Sequence, residues 1–107
     1  MAKIKFDVEL KNLKGDQIKG PDNEIWTLGD ACKNALLSYD EKASGNEKYE
    51  AFQLSMKIDS APADGVDLKA EEITKIKNAV GRTGFPLLVG IVWNLLEGKD
   101  PYKSVKV

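Results

Sequence analysis

Residues 81–84 are the part of the sequence best suited to bind an anion. They read Gly-Arg-Thr-Gly, and Arg82 is the only arginine of the chain. Glycines leave backbone amides accessible to a ligand, and a guanidinium can make a planar bidentate contact to a carboxylate or phosphate. We therefore predict a binding site formed by Gly81, Arg82, Thr83 and Gly84. An alternative stays open, in which the glycines form a helix–helix turn and Arg82 caps the carbonyls of the preceding helix.

Two other features could indicate a metal site or a reactive thiol, but for both a structural role is the better interpretation. Residues 60–71 have the length and central glycine of an EF-hand loop, but Ser60 and Pro62 stand where ligating carboxylates are required. We predict a loop there and no metal site. Cys32 lies on the apolar side of a predicted helix, and the chain has no histidine to activate its thiol. We therefore predict that Cys32 packs in the core.

The residue inventory argues against catalysis and against nucleic-acid binding. Without histidine the chain lacks the usual neutral-pH general base, and it contains no P-loop, dinucleotide-binding, nucleophile-elbow or Cys-x-x-Cys motif. We predict that the protein is not an enzyme, with no catalytic residue, cofactor or metal. All but one of its 16 basic residues are lysine, and the net charge is −1, so a nucleic-acid partner is disfavoured.

The composition indicates a single folded domain. The 107 residues are 42% hydrophobic and 31% charged, and we predict one globular domain over residues 1–98 with an exposed tail over residues 99–107. A lone cysteine and a charged N-terminal segment favour a cytoplasmic protein. The longest apolar segment, residues 85–96, would be about 18 Å long as a helix, against about 30 Å of bilayer hydrocarbon. It is therefore predicted to be a core helix.

The N-terminal part of the chain has the pattern of strands. Apolar and polar residues alternate strictly over residues 3–11, which is typical of a strand with one buried face. Turn residues at Gly15 and over residues 20–23 predict a hairpin of this strand with residues 17–19, and a third short strand over residues 24–26. No internal repeat is evident.

Four later segments have the pattern of helices. Thr27 and Ser44 each precede one of them, with a carboxylate three residues later, as in a capping box. A third helix is predicted to begin near Lys69. The fourth, residues 87–97, is apolar on nearly all sides, so we expect it at the centre of the core, with Gly90 allowing a neighbour to approach closely. The predicted fold is α+β, with an N-terminal β-hairpin of two or three short strands packed on a four-helix cluster.

The second of these helices carries two lines of apolar residues. One line is Tyr49, Phe52 and Met56, and the other is Ala51, Leu54 and Ile58. We expect the two lines to form one broad apolar face.

Several stretches of the chain resemble a group of small, uncharacterised phage and prophage proteins of about 100 residues. The resemblance lies in residues 26–37, 44–49, 67–77 and 86–90, whose motifs are helix caps, amphipathic helices and a proline-started core helix. In these proteins the third helix opens with a hydroxyl residue where this chain has Lys69, so Asp67 is expected to serve as the cap. The resemblance implies a phage origin and no particular activity.

These observations favour a non-enzymatic, phage-encoded binding protein that acts stoichiometrically on a host or anti-phage defence component in the host cytosol. A virion or tail assembly factor is one alternative, and a sponge for an anionic nucleotide signal is another. We also expect self-association, because the fourth helix is difficult to cover on all sides in so short a chain. The tail, in which Tyr102, Val105 and Val107 give some strand character, could contribute to it.

Overall fold

The computed structural model describes residues 2–38 and 40–99, and it has the predicted α+β fold. Four helices account for most of the described chain, and two short strands form an antiparallel pair. In chain order the elements are β1 (Ala2–Ile4), α1 (Leu28–Leu36), α2 (Gly45–Asp59), β2 (Val66–Leu68), α3 (Ala70–Thr83) and α4 (Pro86–Leu96). The tail contacts expected of Tyr102, Val105 and Val107 lie outside the described residues.

Strand β1 ends at Ile4, so the strand predicted over residues 3–11 is wrong beyond that residue. β1 pairs with β2, a strand that was not predicted from the sequence. In the antiparallel register, Ile4 lies opposite Val66. Gly65 allows this approach, because its φ is +107° and a Cβ at this position would lie 2.9 Å from the Ile4 carbonyl oxygen. Only glycine accepts both the backbone angle and the close contact, so Gly65 allows the loop before β2 to place this strand beside β1.

The N-terminal hairpin lies between residues 9 and 27, where the chain makes two tandem turns closed by single bridges. Three backbone hydrogen bonds of 2.9 Å form a ring among residues that are eight apart. The amides of Leu10, Ile18 and Trp26 donate to the carbonyls of Trp26, Leu10 and Ile18, respectively. Leu10 is fully buried, and Ile18 and Trp26 pack against the core. The ring therefore satisfies the backbone groups of the turns at the point where they meet the core.

Helices α1 and α2 begin at the predicted capping boxes. The Thr27 hydroxyl accepts from the Asp30 amide at 3.2 Å, and the Asp30 carboxylate accepts from the Thr27 amide at 3.1 Å. Ser44 and Glu47 make the same reciprocal pair, with both distances 3.1 Å. Because each box satisfies two otherwise unpaired amides, these helix starts are encoded locally.

Helix α3 begins at Ala70, as predicted, but its cap differs from the prediction. Asp67, the expected cap, lies in β2 opposite Lys3. Lys69 occupies the N-cap position, and its backbone amide donates to Glu72 Oε1 at 2.9 Å. The same carboxylate accepts from Lys57 Nζ on α2 at 3.1 Å. Glu72 therefore caps its own helix and joins it to α2.

Helix α1 is the element against which the other helices pack. It contacts α2, α3 and α4, and α4 also packs along α3. Its buried face is built mainly from small residues, which allow neighbouring backbones to approach closely. These residues are Gly29, Ala31, Cys32 and Ala35.

Helix α4 supplies part of the core through four buried residues, but the central position predicted for it is occupied by α1, which contacts the other three helices. The buried residues of α4 are Leu88, Ile91, Val92 and Leu96. The close approach expected at Gly90 is wrong, because this residue is exposed and a Cβ there would meet no atom within 4 Å. The helix stops as predicted at Gly98, whose φ is +75°. Among the described residues, none of the four helices combines the length and hydropathy that a membrane crossing requires.

We predict that Gly90→Ala stabilises the protein by about 0.5–1 kcal/mol, because alanine has the higher helix propensity and its Cβ would enter open space. The free energy of unfolding, measured by urea titration, checks this expectation.

Gly81→Ala is the matched control for this prediction. Gly81 is also helical, but its Cβ would lie 3.2 Å from the Trp93 ring. That ring is held by a 3.0 Å hydrogen bond from Trp93 Nε1 to the Lys77 carbonyl, so the gain should be smaller or reversed. A loss of stability in Gly90→Ala would contradict an open environment at this position.

Candidate binding cleft

A cleft of about 470 Å³ opens where α1 ends. Helix α1 has 9 residues, whereas α2 has 15 and α3 has 14. At about 1.5 Å per residue, α1 is about 8 Å shorter than the two helices that flank it. The N-terminal half of α2 and the C-terminal half of α3 line the sides of the cleft, and the last residues of α1 lie at its base. We call this feature the α1-end cleft.

The α1-end cleft has an apolar floor and an apolar mouth. Leu36 and Ala79 lie at the floor and are buried, with exposed fractions of 7% and 4%. Leu37 and Phe52 line the mouth and remain 60% and 49% exposed. Large apolar side chains that stay this exposed beside a recess are typical of a surface that binds a partner.

Two ion pairs tie α3 to the opposite side of the cleft. Arg82 Nη1 lies 3.3 Å from Asp40 Oδ2, in the loop between α1 and α2. Lys75 pairs with Glu50 on α2. Both pairs are partly exposed, so each contributes little to stability. The two cations that α3 contributes to the cleft are thus neutralised within the chain, and the rim carries both signs of charge.

The residues of the predicted anion site do not converge on one ligand position. Gly81, Arg82 and Thr83 form the last turn of α3, so the expected turn at residues 81–84 is wrong. The Gly84 amide donates to the Val80 carbonyl at 2.7 Å. The backbone groups left over at this end of a helix are carbonyls, which disfavour an anion.

Arg82 is the one residue of the predicted set that lines the α1-end cleft. It pairs with Asp40 and makes no hydrogen bond to the carbonyls of α3 among the described residues. The proposed cap is therefore absent, and the role of Arg82 in binding stays a prediction.

Cys32 lies in the core, which confirms its predicted packing role. The residue is completely buried as a free thiol. Burial raises the pKa of the Cys32 thiol to about 12, because the thiolate would be desolvated. No metal-binding group of three or more acidic or cysteine side chains occurs in the described part of the chain.

Sequence analysis missed the α1-end cleft because it assigned both apolar lines of α2 to one face. The line of Ala51, Leu54 and Ile58 packs on the core, whereas the line of Tyr49, Phe52 and Met56 is exposed. A signal was available, because the two lines together cover more of the helix circumference than a single neighbour can bury. Phe52 is the residue of the cleft mouth that this reasoning would have found.

Comparison with protein-family models, with curated proteins and with solved structures finds no match to this chain. The function is therefore inferred from the cleft and from the surfaces around it.

We predict that the stabilising effect of Glu72 depends on pH. Partial burial acts to raise the pKa of Glu72, but the Lys69 amide and the Lys57 ammonium outweigh it, so that the pKa lies below its ordinary value. A lowered folded-state pKa stabilises the protein above the unfolded-state pKa, and this contribution is lost as pH falls through the folded-state value. Glu72→Gln should therefore reduce stability by about 1 kcal/mol at pH 7 and by much less near pH 3.

Urea unfolding of both proteins at the two pH values measures this difference. Glu71→Gln removes a charge from the same helical turn, at a side chain with no ion pair or hydrogen bond in the described structure, and so serves as the control. A Glu72→Gln deficit of equal size at both pH values would contradict the prediction.

Proposed function

We propose that this chain is a non-enzymatic binding protein that holds a protein partner stoichiometrically in the α1-end cleft. The observation that carries the proposal is an apolar recess of about 470 Å³ with Leu37 and Phe52 exposed at its mouth. A recess of this size accepts one or two large apolar side chains of a partner, which is how anchor residues contribute most of the affinity in protein interfaces.

The charges of the cleft favour a protein over an anionic nucleotide. Arg82 and Lys75 are already paired with carboxylates. A nucleotide phosphate would have to displace those carboxylates, whereas a protein partner can leave both pairs at the rim. No feature of the site favours the nucleotide sponge.

The proposed setting is the cytosol of a phage-infected bacterium, with a host or anti-phage defence component as the partner. The resemblance to phage proteins supports the origin, and a free, buried Cys32 suits a reducing compartment. A virion or tail assembly role uses the same kind of surface, and the identity of the captured partner separates the two roles.

The test is affinity capture from bacterial lysate with wild type, Leu37→Lys and Leu13→Lys. Leu37 is 60% exposed at the cleft, and Leu13 is 82% exposed in the first N-terminal turn, so neither substitution should disturb the core. We expect one protein to be retained in a fixed ratio by wild type and by Leu13→Lys, and to be lost from Leu37→Lys. Retention of the same protein by all three would contradict binding in the cleft.

The captured partner then allows Arg82 to be tested. Arg82→Lys keeps the charge that faces Asp40 but removes the bidentate fork. A weaker complex with an unchanged melting temperature is expected if Arg82 contacts the partner, as predicted from the sequence. Unchanged affinity would remove Arg82 from the site.

A further inference from the structure

A second recess, of about 410 Å³, lies beside the start of α3, whereas the α1-end cleft lies along the C-terminal half of that helix. Ile4 of β1, Ile73 of α3 and Leu96 of α4 give the second recess an apolar lining. Gly98, which follows α4, lines it as well. We call this recess the β1-edge groove.

The β1-edge groove adjoins an edge of β1 that no described strand covers, since β1 pairs with β2 alone. The Ile4 carbonyl faces β2, because a Cβ on Gly65 would lie 2.9 Å from its oxygen. Backbone groups of successive strand residues point to opposite edges, so the amide and carbonyl of Lys3 face away from β2. Lys3 lines the groove, and among the described residues its backbone makes no hydrogen bond outside the sheet. The groove therefore offers main-chain groups to an added strand.

The chain leaves α4 at this groove. The Gly98 amide donates to the Leu95 carbonyl at 3.1 Å, and the Lys99 amide donates to the Asn94 carbonyl at 2.8 Å. Together with the positive φ of Gly98, these bonds form a Schellman motif, which turns the chain away from the helix axis. Because Gly98 lines the groove, the segment that follows begins beside it.

We propose that residues 101–107 of the same chain occupy the β1-edge groove as a strand added to the free edge of β1. In this segment Val105 and Val107 alternate with Ser104 and Lys106. Such alternation places both valines on one face of a strand and the polar residues on the other. The apolar lining of the groove covers the valine face, and the main chain of the segment bonds to the edge of β1.

Attachment to α4 favours this segment over the same segment of a second copy, which the sequence analysis considered. Residues 100–107 extend over at most about 26 Å, which is ample for pairing with a three-residue strand about 10 Å long. A segment tethered this closely has an effective concentration on the order of millimolar. A second copy reaches that concentration only in very concentrated solution, so the chain's own segment fills the groove first.

Thermal unfolding of the full chain tests whether one face of the segment is buried. Val105→Asp and Ser104→Asp introduce the same charge at neighbouring positions on opposite faces. Val105→Asp should lower the melting temperature by at least about 4 °C, because it places a charge in the apolar groove. Ser104→Asp is the matched control and should leave the melting temperature unchanged. No loss in Val105→Asp, or equal losses in the two variants, would overturn the proposal.

Disulfide formation tests the location of the segment. Ala70 lines the groove and is exposed, and Cys32 is completely buried, so Cys32 should not compete under mild oxidation. Ala70→Cys combined with Val105→Cys should form a disulfide within one chain at least about tenfold faster than Ala70→Cys combined with Ser104→Cys. Non-reducing electrophoresis separates bonds within a chain from bonds between chains. Equal rates, or bonds mainly between chains, would contradict the proposal.

Strand addition and the proposed partner binding can fail independently, because the groove and the α1-end cleft share no lining residue. Val105→Asp should still retain the captured partner. Leu37→Lys, which alters the cleft, should leave the rate of disulfide formation between positions 70 and 105 unchanged.

Discussion

The short length of α1 is the constraint on which the surrounding helices and the cleft depend. Helices α2, α3 and α4 all pack against α1. Its buried face consists mainly of small residues, and small side chains permit close helix packing. After Leu36 there is no further helical turn to fill the space between α2 and α3. Helix α1 therefore explains both the core, which forms around its buried face, and the recess, which opens because α1 ends before α2 and α3 do.

Local signals predicted much of the fold. The capping boxes at Thr27 and Ser44 and the stop at Gly98 depend on residues a few positions apart, and such signals operate whatever the rest of the chain does. At the end of α3, by contrast, a local signal was misleading. Gly81 resembles a helix stop, but the helix continues through it to Thr83, and Gly84 is the C-cap.

Features that depend on distant contacts were not predictable in this way. Nothing in the residues around Ile4 indicates that its partner is Val66, and the cap expected at Asp67 failed because that residue was needed in β2. The ring formed by Leu10, Ile18 and Trp26 does have a sequence signal, which is the eight-residue spacing of these apolar residues, but this spacing was not recognised as a repeat. The sequence signal for the cleft is weaker, because a line of apolar residues such as Phe52 and Met56 has the same pattern whether it is buried or exposed.

The pairing of β1 with β2 affects the order in which this chain can fold during synthesis. The ring of Leu10, Ile18 and Trp26 and the start of α1 involve neighbouring segments, and they can form as soon as these leave the ribosome. β1 is synthesised before its partner β2, which follows α1 and α2 in the chain. β1 therefore stays unpaired until α1 and α2 have been synthesised, and the two-stranded sheet forms only after these helices are available to pack.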